Sequence, residues 1–264
     1  MALITNTLSV ARWKAKFQSM TRLRSPTPVV VVRSSPGAAR IAGAMTRIPG
    51  LDKDTLAVLA SVTAEVSRNL EPYPEPHYPT VAAHFSSASS SLPKLSMLSA
   101  LVRLSRAKSI LEIGTGYGLS AIAMAKAQTR PGLLTIDQYE PQVTISRKHL
   151  AAIFPDDNVK LVAGDKRDIV PRLARDGRRF DLIFHDGGHD GDAYVRDFEA
   201  LLPTLNAGGL FLIDDIRWDD EPTRRARTPH SRRTCYEGWR EVASHNRVLG
   251  AVEIGGRLGI LTFV

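Results

Sequence analysis

From residue 109 onward, the sequence alternates short apolar runs with amphipathic segments of helical length. The apolar runs cover residues 109–113, 133–136, 159–163, 180–184 and 210–213, and each is long enough for one buried strand. Strands that alternate with helices in this way are joined by right-handed crossovers and form a doubly wound parallel sheet. Such a sheet binds its ligand at the carboxyl ends of its strands. The pattern therefore predicts an α/β fold with its site at that edge.

The two ends of the chain follow other patterns. Two apolar runs, 248–254 and 258–263, flank a pair of glycines, which predicts an antiparallel C-terminal hairpin. Residues 51–70 have helical spacing and precede a proline-rich stretch, and a second helical pattern begins at Leu92. The length of 264 residues suits one three-layer domain with an N-terminal addition. The predicted segments are an N-terminal extension (1–50), a helical lead-in (51–108) and a ligand-binding catalytic domain (109–264).

The chain has a formal net charge of +8, and this excess lies in the N-terminal segment. The first 51 residues contain eight basic and no acidic residues, and the other 27 basic residues are matched by 27 acidic ones. A nucleic-acid-binding surface would carry its positive charge on the folded domain, so nucleic acid is not an expected partner. No apolar run is long enough to span a membrane, so a membrane partner is not expected either.

The basic N-terminal segment leaves the location of the protein open. The single cysteine, Cys235, excludes an internal disulfide and favours a reducing compartment, so we expect a cytoplasmic protein. The arginine- and serine-rich, acid-free composition is also typical of an organelle transit peptide, which makes organelle targeting the alternative. A bacterial N-terminal extension, or translation that starts at Met45, would explain the same segment without targeting.

A glycine-rich turn, Gly114-Thr115-Gly116-Tyr117-Gly118, follows the first predicted strand and opens a predicted helix. Its backbone can therefore approach a ligand closely. Leu119 stands where the dinucleotide fingerprint G-x-G-x-x-G needs its last glycine, which disfavours NAD. Asp137 ends the second predicted strand, where a carboxylate can accept hydrogen bonds from both hydroxyls of a ribose. Either feature alone also occurs without a ligand, but their coincidence favours a ligand that contains ribose.

The segment from Glu112 to Ser120 resembles the first motif of the class I S-adenosylmethionine (SAM) dependent O-methyltransferases that act on catechols, caffeoyl-CoA and macrolide sugars. The resemblance continues through 135–137, 164–171 and 210–215, and it covers about residues 92–264. It implies a mostly parallel seven-stranded sheet and a SAM-dependent methyltransferase. By this resemblance, the residues that hold SAM are Glu112, Gly114, Thr115, Gly116, Tyr117, Gly118, Ser120, Asp137, Gln138, Gly164, Asp165, Lys166 and Asp186.

Acidic residues follow two neighbouring strands of the predicted sheet. Asp186 follows the fourth strand, and Asp214 and Asp215 follow the fifth, so three carboxylates are expected beside one crevice. Carboxylates that converge need a proton, a cation or basic neighbours, although acids also serve as ordinary caps and strand ends. The resemblance implies that Asp186, Asp214 and Asp215 bind a divalent cation, Mg²⁺ in the resembled enzymes. The catechol enzymes have asparagine at the position of Asp215.

His189 lies three residues after Asp186, where the catechol enzymes have a lysine base. An imidazole can accept a hydroxyl proton near neutral pH, so Asp186 and His189 are the predicted catalytic residues. A loop histidine, or a partner of the carboxylates, is the alternative. His185 ends an apolar strand and is expected to be structural.

Five arginines border the predicted site after its acid pair: Arg224, Arg225, Arg227, Arg232 and Arg233. They predict a basic lid and an anionic small-molecule acceptor, with a solvated surface loop as the alternative. We therefore expect a SAM-dependent, metal-assisted O-methyltransferase. The alternatives are a metal-independent N-, C- or RNA methyltransferase and a non-catalytic SAM-binding subunit. The related enzymes are often dimers, so a homodimer is a further expectation.

Overall fold

The protein is described by a computed structural model that covers residues 28–127 and 132–263. The predictions made for residues 1–27 lie outside these described residues. The strands are β1 (Val29–Arg33), β2 (Ser109–Ile113), β3 (Gly132–Asp137), β4 (Val159–Ala163), β5 (Phe180–His185), β6 (Leu205–Ile213), β7 (Gly250–Ile254) and β8 (Leu258–Thr262). The helices are α1 (Pro36–Met45), α2 (Lys53–Val66), α3 (Val81–Ala88), α4 (Leu92–Ser105), α5 (Leu119–Ala125), α6 (Glu140–Ile153), α7 (Lys166–Arg175), α8 (Gly191–Leu201), α9 (Pro222–Arg225) and α10 (Cys235–Ser244).

All eight strands belong to one sheet in the order β1-β7-β8-β6-β5-β2-β3-β4. The neighbours from β6 to β4 pair in parallel, and β8, β7 and β1 continue the sheet with antiparallel pairing. The predicted doubly wound, mostly parallel α/β fold with an antiparallel C-terminal hairpin is therefore confirmed. The described residues form eight strands, where seven were predicted.

The additional strand is β1, for which the sequence analysis predicted no structure. It pairs antiparallel with β7, with Val29 opposite Ile254 and Val31 opposite Val252. Without β1, the backbone of β7 would form an unpaired sheet edge. Helix α1 follows β1 and also packs on β7. Residues 29–45, which the sequence placed in the N-terminal extension, therefore contribute a strand and a helix to the sheet structure.

The central strands alternate between two hydrophobic cores, one on each face of the sheet. In β5, Leu182 and Phe184 face the core formed with helices α1 to α6, whereas Ile183 faces the core formed with α7, α8 and α10. In β6, Leu212 and Phe211 divide in the same way. Because successive strand residues point to opposite faces, a strand covered on both faces must be apolar throughout. This explains the continuous apolar runs of the sequence.

Backbone hydrogen bonds continue past the carboxyl ends of the central strands and tie the site loops together. The Gly114 amide donates to the Ile136 carbonyl at 2.9 Å. The Asp186 amide donates to Ile113 at 2.8 Å, and the Asp214 amide donates to His185 at 3.0 Å. The loops after β2, β5 and β6 therefore keep a fixed spacing. Within the described residues, no helix has both the length and the apolar character needed to cross a bilayer.

The packing of α1 on β7 is tested by Gly250→Ala. A Cβ atom at this position would lie 2.8 Å from Ala38 Cβ and 2.8 Å from Thr262 Oγ1. We expect the free energy of unfolding to fall by about 1–3 kcal/mol, because overpacking displaces α1. In the control, Gly43→Ala, the added Cβ meets nothing within 4 Å, and the better helix propensity of alanine should leave stability equal or higher. Chemical denaturation measures both, and an unchanged Gly250→Ala variant would contradict this packing.

Candidate active site

Glu112 is a fully buried carboxylate near the end of β2. Its Oε2 atom accepts a hydrogen bond of 2.6 Å from the Thr135 hydroxyl, and Oε1 has no partner of hydrogen-bonding geometry among the described residues. Burial raises the pKa of Glu112 to about 7, and the nearby hydroxyls of Ser120 and Thr135 oppose this rise. An incompletely paired carboxylate in such a position favours a cationic partner.

The glycine turn after β2 presses against the loop after β5. A Cβ atom on Gly114, whose φ is +93°, would lie 2.7 Å from the Asp186 carbonyl carbon. A Cβ on Gly187 would lie 2.5 Å from the side chain of Ile113. Only glycine fits at these contacts, since the two backbones meet without room for a side chain. The close approach places the Asp186 loop directly over the turn.

Asp137 ends β3 and is bound to the same glycine turn. Its Oδ2 accepts the Gly116 amide at 2.8 Å, and its Oδ1 accepts the Tyr139 amide at 3.0 Å. These bonds fix the carboxylate at the edge of the crevice, and each oxygen keeps a further lone pair for a ligand. Gln138 follows it and is exposed.

Tyr117 turns its side chain away from the crevice and into the N-terminal helices. Its hydroxyl lies 2.7 Å from His84 Nδ1, and its ring packs edge-on against Phe85. Tyr73 stacks on His84 with 4.0 Å between the ring centroids. Only the backbone of Tyr117 can therefore take part in the predicted ligand contact, while its ring holds α3 against the turn.

Asp165 and Lys166, which the resemblance implies at the adenine edge, are both engaged within the chain. Asp165 caps α7 through the Arg167 amide at 2.8 Å and also pairs with the Arg167 guanidinium. The Lys166 ammonium donates to the Gly187 carbonyl at 2.9 Å and pairs with Asp197 at 2.5 Å.

Gly164 donates its amide to the Asp137 carbonyl at 2.8 Å, so it links the ends of β4 and β3. Buried His185 pairs with Asp197 at 2.9 Å, as expected of a structural residue.

The three strand-end carboxylates Asp186, Asp214 and Asp215 form the acidic cluster of the crevice. Lys94, on α4, reaches into it: its Nζ lies 2.5 Å from Asp214 Oδ2 and 2.9 Å from Asp186 Oδ2. Burial alone would lower the pKa of Lys94, but the two carboxylates outweigh it and raise that pKa. Lys94 is therefore charged and neutralises part of the cluster from inside.

Arg257, in the hairpin turn between β7 and β8, contacts the cluster from the other side. Its Nε lies 2.6 Å from Asp215 Oδ1 and 3.9 Å from Asp214 Oδ1. Asp215 has a left-handed backbone with φ of +54°, and the Tyr194 hydroxyl donates to the carbonyls of Asp214 and Asp215 at 2.9 and 3.2 Å. The additional negative charge of Asp215, compared with an asparagine, is thus balanced by Arg257.

His189 lies at the mouth of the crevice. Its ring stacks on Trp218 with 5.1 Å between the centroids, and its Nδ1 lies 3.8 Å from Asp215 Oδ2. This Nδ1 has no hydrogen-bond partner within the described part of the chain. Burial lowers the pKa of His189, and the charges of Asp215 and Asp214 oppose this change. The lowered pKa favours the neutral imidazole near pH 7, in which one ring nitrogen can accept a proton.

The residues that lie close enough to bind one cation differ from the predicted set. Ligand atoms of Asp186, His189 and Asp215 lie within 4.8 Å of one another. These three residues are called the outer triad here. The predicted third ligand, Asp214, is not in this group: its Oδ2 pairs with Lys94, and its buried Oδ1 has no hydrogen-bond partner among the described residues.

The predicted basic lid is only partly available to a substrate. Arg225 pairs with Asp219 and donates to the carbonyls of Arg233 and Ser231, which holds the loop itself. Arg233 pairs with Asp192 and Glu241, and Arg224 lies over the Trp218 ring. Arg227 and Arg232 are exposed.

Sequence reasoning missed Lys94 and Arg257. Lys94 is the one charged residue between Leu92 and Leu101, in a run that is otherwise apolar or small, and a charge on such a helix was the available signal. Arg257 gave no signal, because an arginine next to a glycine turn is ordinary on a surface.

Residues 111–216, from β2 past the acid pair, match the protein-family model described as a methyltransferase domain. Residues 111–216 are a methyltransferase domain. The predicted resemblance to the class I SAM-dependent O-methyltransferases is thereby confirmed.

Two relatives show how far the similarity of the methyltransferase domain extends. A catechol O-methyltransferase from Niastella koreensis is 32% identical over 145 residues, which are 52% of this chain and 65% of that protein. The O-methyltransferase hkm8 from Aspergillus hancockii is 31% identical over 120 residues, which are 43% of this chain and 46% of that protein. The chain thus spans about half to two thirds of the length of these relatives.

Solved structures share the fold of the chain. The O-methyltransferase TomG from Streptomyces achromogenes, in complex with SAM, has a TM-score of 0.58 at 22% identity, over 81% of this chain and 91% of that chain. The O-methyltransferase from Bacillus cereus, in complex with SAH, has a TM-score of 0.56 at 19% identity, over 82% and 93%. Likeness at this level of identity concerns the fold alone.

The buried carboxylate of the methyltransferase domain makes stability depend on pH. Because the pKa of Glu112 is raised from 4.5 to about 7, the folded chain binds this proton more tightly than the unfolded chain, and stability falls as pH rises between those values. Glu112→Gln should raise the free energy of unfolding at pH 8 by about 1–3 kcal/mol. At pH 5 the two proteins should differ little, since Glu112 is then mostly protonated. Denaturation at both pH values measures the difference, and an equal effect at pH 5 and pH 8 would contradict it.

Proposed function

We propose that this chain transfers a methyl group from SAM to a hydroxyl of a small molecule. The observation that carries the proposal is the fully buried Glu112, whose Oε1 is unpartnered, directly before the glycine turn of a methyltransferase domain. Relatives named as O-methyltransferases support transfer to oxygen.

The residues at the carboxyl ends of β2 and β3 fit SAM. Its methionine part carries an ammonium and a sulfonium, and the unpaired oxygen of Glu112 suits positive charge. Gly116 leaves the glycine turn open on one side, since a Cβ atom there would meet nothing within 4 Å, and Asp137 offers acceptors for two ribose hydroxyls. Asp165 takes an adenine contact only with the lone pairs that Arg167 leaves free.

The chain's own part in the reaction is to bind, orient and remove a proton. SAM supplies an electrophilic methyl group, so that the new O–C bond forms as the S–C bond breaks. The hydroxyl proton passes to the neutral imidazole of His189, whose Nδ1 has no hydrogen-bond partner among the described residues. Trp218 stacks on His189 and limits its movement, so the gain comes mainly from positioning.

The site also fits a divalent cation. The outer triad, two carboxylates and an imidazole with an unpartnered nitrogen, fits a cation such as Mg²⁺ or Mn²⁺. When bound, a cation stabilises the deprotonated form of a hydroxyl. His189 Nδ1 cannot bind a cation and accept a proton at the same time, so the cation and the proton are alternatives at this nitrogen.

Binding of S-adenosylhomocysteine (SAH), the reaction product, tests the cofactor assignment. Asp137→Asn should weaken the affinity for SAH at least about tenfold, because charged hydrogen bonds to the ribose are lost. The matched control is Asp181→Asn near the amino end of β5, away from the crevice, where Asp181 accepts the Lys108 and Ser109 amides at 2.8 and 3.0 Å. Calorimetry should show unchanged affinity for the control. Equal affinities of wild type and Asp137→Asn would sink the assignment.

Acceptor charge is tested at the arginine loop. Arg224→Ala/Arg227→Ala should raise KM for a carboxylate- or phosphate-bearing acceptor about tenfold, with kcat and SAH affinity unchanged. Arg225 is left in place because it bonds the loop to itself. Steady-state assays with charged and neutral acceptors measure the effect, and an unaltered KM would reject the anionic acceptor.

Turnover separates the proposal from its alternatives. Mass spectrometry should detect a product 14 mass units heavier from hydroxylated acceptors, about one CH₂ group, as methylation of a hydroxyl requires. Methylation of amines or RNA only would favour the alternative methyltransferases, and SAH binding without any product would favour a non-catalytic subunit. Dimer formation and the anionic acceptor stay predictions.

A further inference from the structure

Lys166 is the first residue of α7, and it connects three elements around the loop that follows β5. Its ammonium donates a hydrogen bond of 2.9 Å to the carbonyl of Gly187 in that loop. The same nitrogen lies 2.5 Å from Asp197 Oδ2 on α8. The Lys166 side chain is 17% exposed, so little water competes for these contacts. Lys166 therefore joins the beginning of α7 to the loop and to α8.

The carboxylate that binds Lys166 is itself held in place. Oδ2 of Asp197 also lies 2.9 Å from Nε2 of His185, the last residue of β5, and Oδ1 lies 3.5 Å from Nε of Arg196. Burial would raise the pKa of Asp197, but the hydrogen bond from His185 and the charge of Lys166 outweigh it and lower that pKa. Asp197 is therefore ionised, and its charge-assisted bond gives the ammonium a defined position.

The loop after β5 has little room where Lys166 meets it. A Cβ atom on Gly187 would lie 2.5 Å from the side chain of Ile113, so the end of β2 packs directly against this residue. A Cβ atom on Gly188 would lie 3.5 Å from Lys166 Nζ, which is van der Waals contact. Lys166 thus contacts two consecutive residues of the loop, and β2 contacts the first of them as well.

The residues on either side of this contact are the predicted catalytic residues. Asp186 directly precedes Gly187, and His189 directly follows Gly188. The His189 ring stacks on Trp218 with 5.1 Å between the centroids. Because only two glycines separate Asp186 from His189, a shift of the Gly187 carbonyl would displace both side chains. The bond from Lys166 therefore bears on the geometry of the reaction.

We propose that Lys166 is a positioning residue for methyl transfer: through Gly187 and Asp197 it fixes the loop that carries Asp186 and His189. The catalytic consequence of this inference rests on the proposed function. It differs from the role that the resemblance implies, in which Lys166 contacts the adenine edge of SAM. An ammonium that already binds a carbonyl and a carboxylate gains little from a further neutral acceptor.

The position of the His189 ring can be observed by NMR in the protein without any ligand. The chain has seven histidines, and His189→Gln identifies the signal of the His189 imidazole by its loss. In the wild type, the ring current of Trp218 should shift this signal, because the two rings are stacked. Lys166→Met should move the signal toward that of an exposed histidine. An unchanged His189 signal in folded Lys166→Met would overturn the inference.

Kinetics with an acceptor that the wild type methylates distinguishes positioning from adenine binding. Lys166→Met should lower kcat at least about tenfold, since the proton acceptor is misplaced. SAH affinity and KM for SAM should stay within about threefold of wild type. Weaker SAH binding with unchanged kcat at saturating SAM would assign Lys166 to the adenine and reject the inference.

The matched control for the lost charge is Lys148→Met on α6. Lys148 pairs with Glu65 at 2.7 Å, and its side chain is 72% exposed. This variant should keep the kcat, the SAH affinity and the His189 signal of the wild type. A fall in kcat as large as that of Lys166→Met would show that loss of positive charge alone explains the effect.

A charge-matched double variant covers the case in which Lys166→Met does not fold because Asp197 has lost its lysine. Lys166→Met/Asp197→Asn removes both charges and still lacks the donor to Gly187. It should show the same change of the His189 signal and the same fall in kcat, and thermal unfolding establishes that it is folded. Wild-type values in the double variant would reject the inference. Failure of the wild type to bind SAH would count against the proposed function, whereas the His189 signal tests the loop independently.

Discussion

The ion pairs of Lys94 with Asp214 and Asp186 allow three carboxylates to share one crevice. Without a cation at this point, the strand ends of β5 and β6 would carry buried acids that repel each other. The lysine comes from α4, a helix of the lead-in (51–108), so the site depends on a contact between this segment and the strand ends of the sheet. The packing of α4 thus determines where the Lys94 ammonium lies among the carboxylates of the site.

The buried carboxylate of Glu112, at the same ends of the strands, is also electrostatically unfavourable. Glu112 is buried without full pairing, so the empty crevice is less stable when this residue is ionised. A positively charged ligand relieves that cost, and binding is favoured by it. The glycine contact between Gly114 and the Asp186 loop then brings the cofactor edge and the acidic cluster next to each other. The ionised Glu112 therefore lowers the stability of the ligand-free protein but favours binding of a positively charged ligand.

The sequence predicted the fold and the loops of the site because both follow from local pattern. Apolar runs marked the parallel strands, and glycines and acids marked their ends. The strand β1 was not predicted because its partner, β7, lies about 220 residues later in the chain. Lys94 and Arg257 escaped for a similar reason: their partners, Asp214 and Asp215, are set by tertiary packing. The burial of Asp214 against Lys94 results from the same packing.

The most direct test of the account is a crystal structure of the protein grown with SAH. The account predicts density along the glycine turn, with the ribose hydroxyls on Asp137 and the amino group of SAH beside Glu112. Density for SAH at any other place, or none at saturating concentration, would contradict a SAM-dependent methyltransferase built on these strand ends.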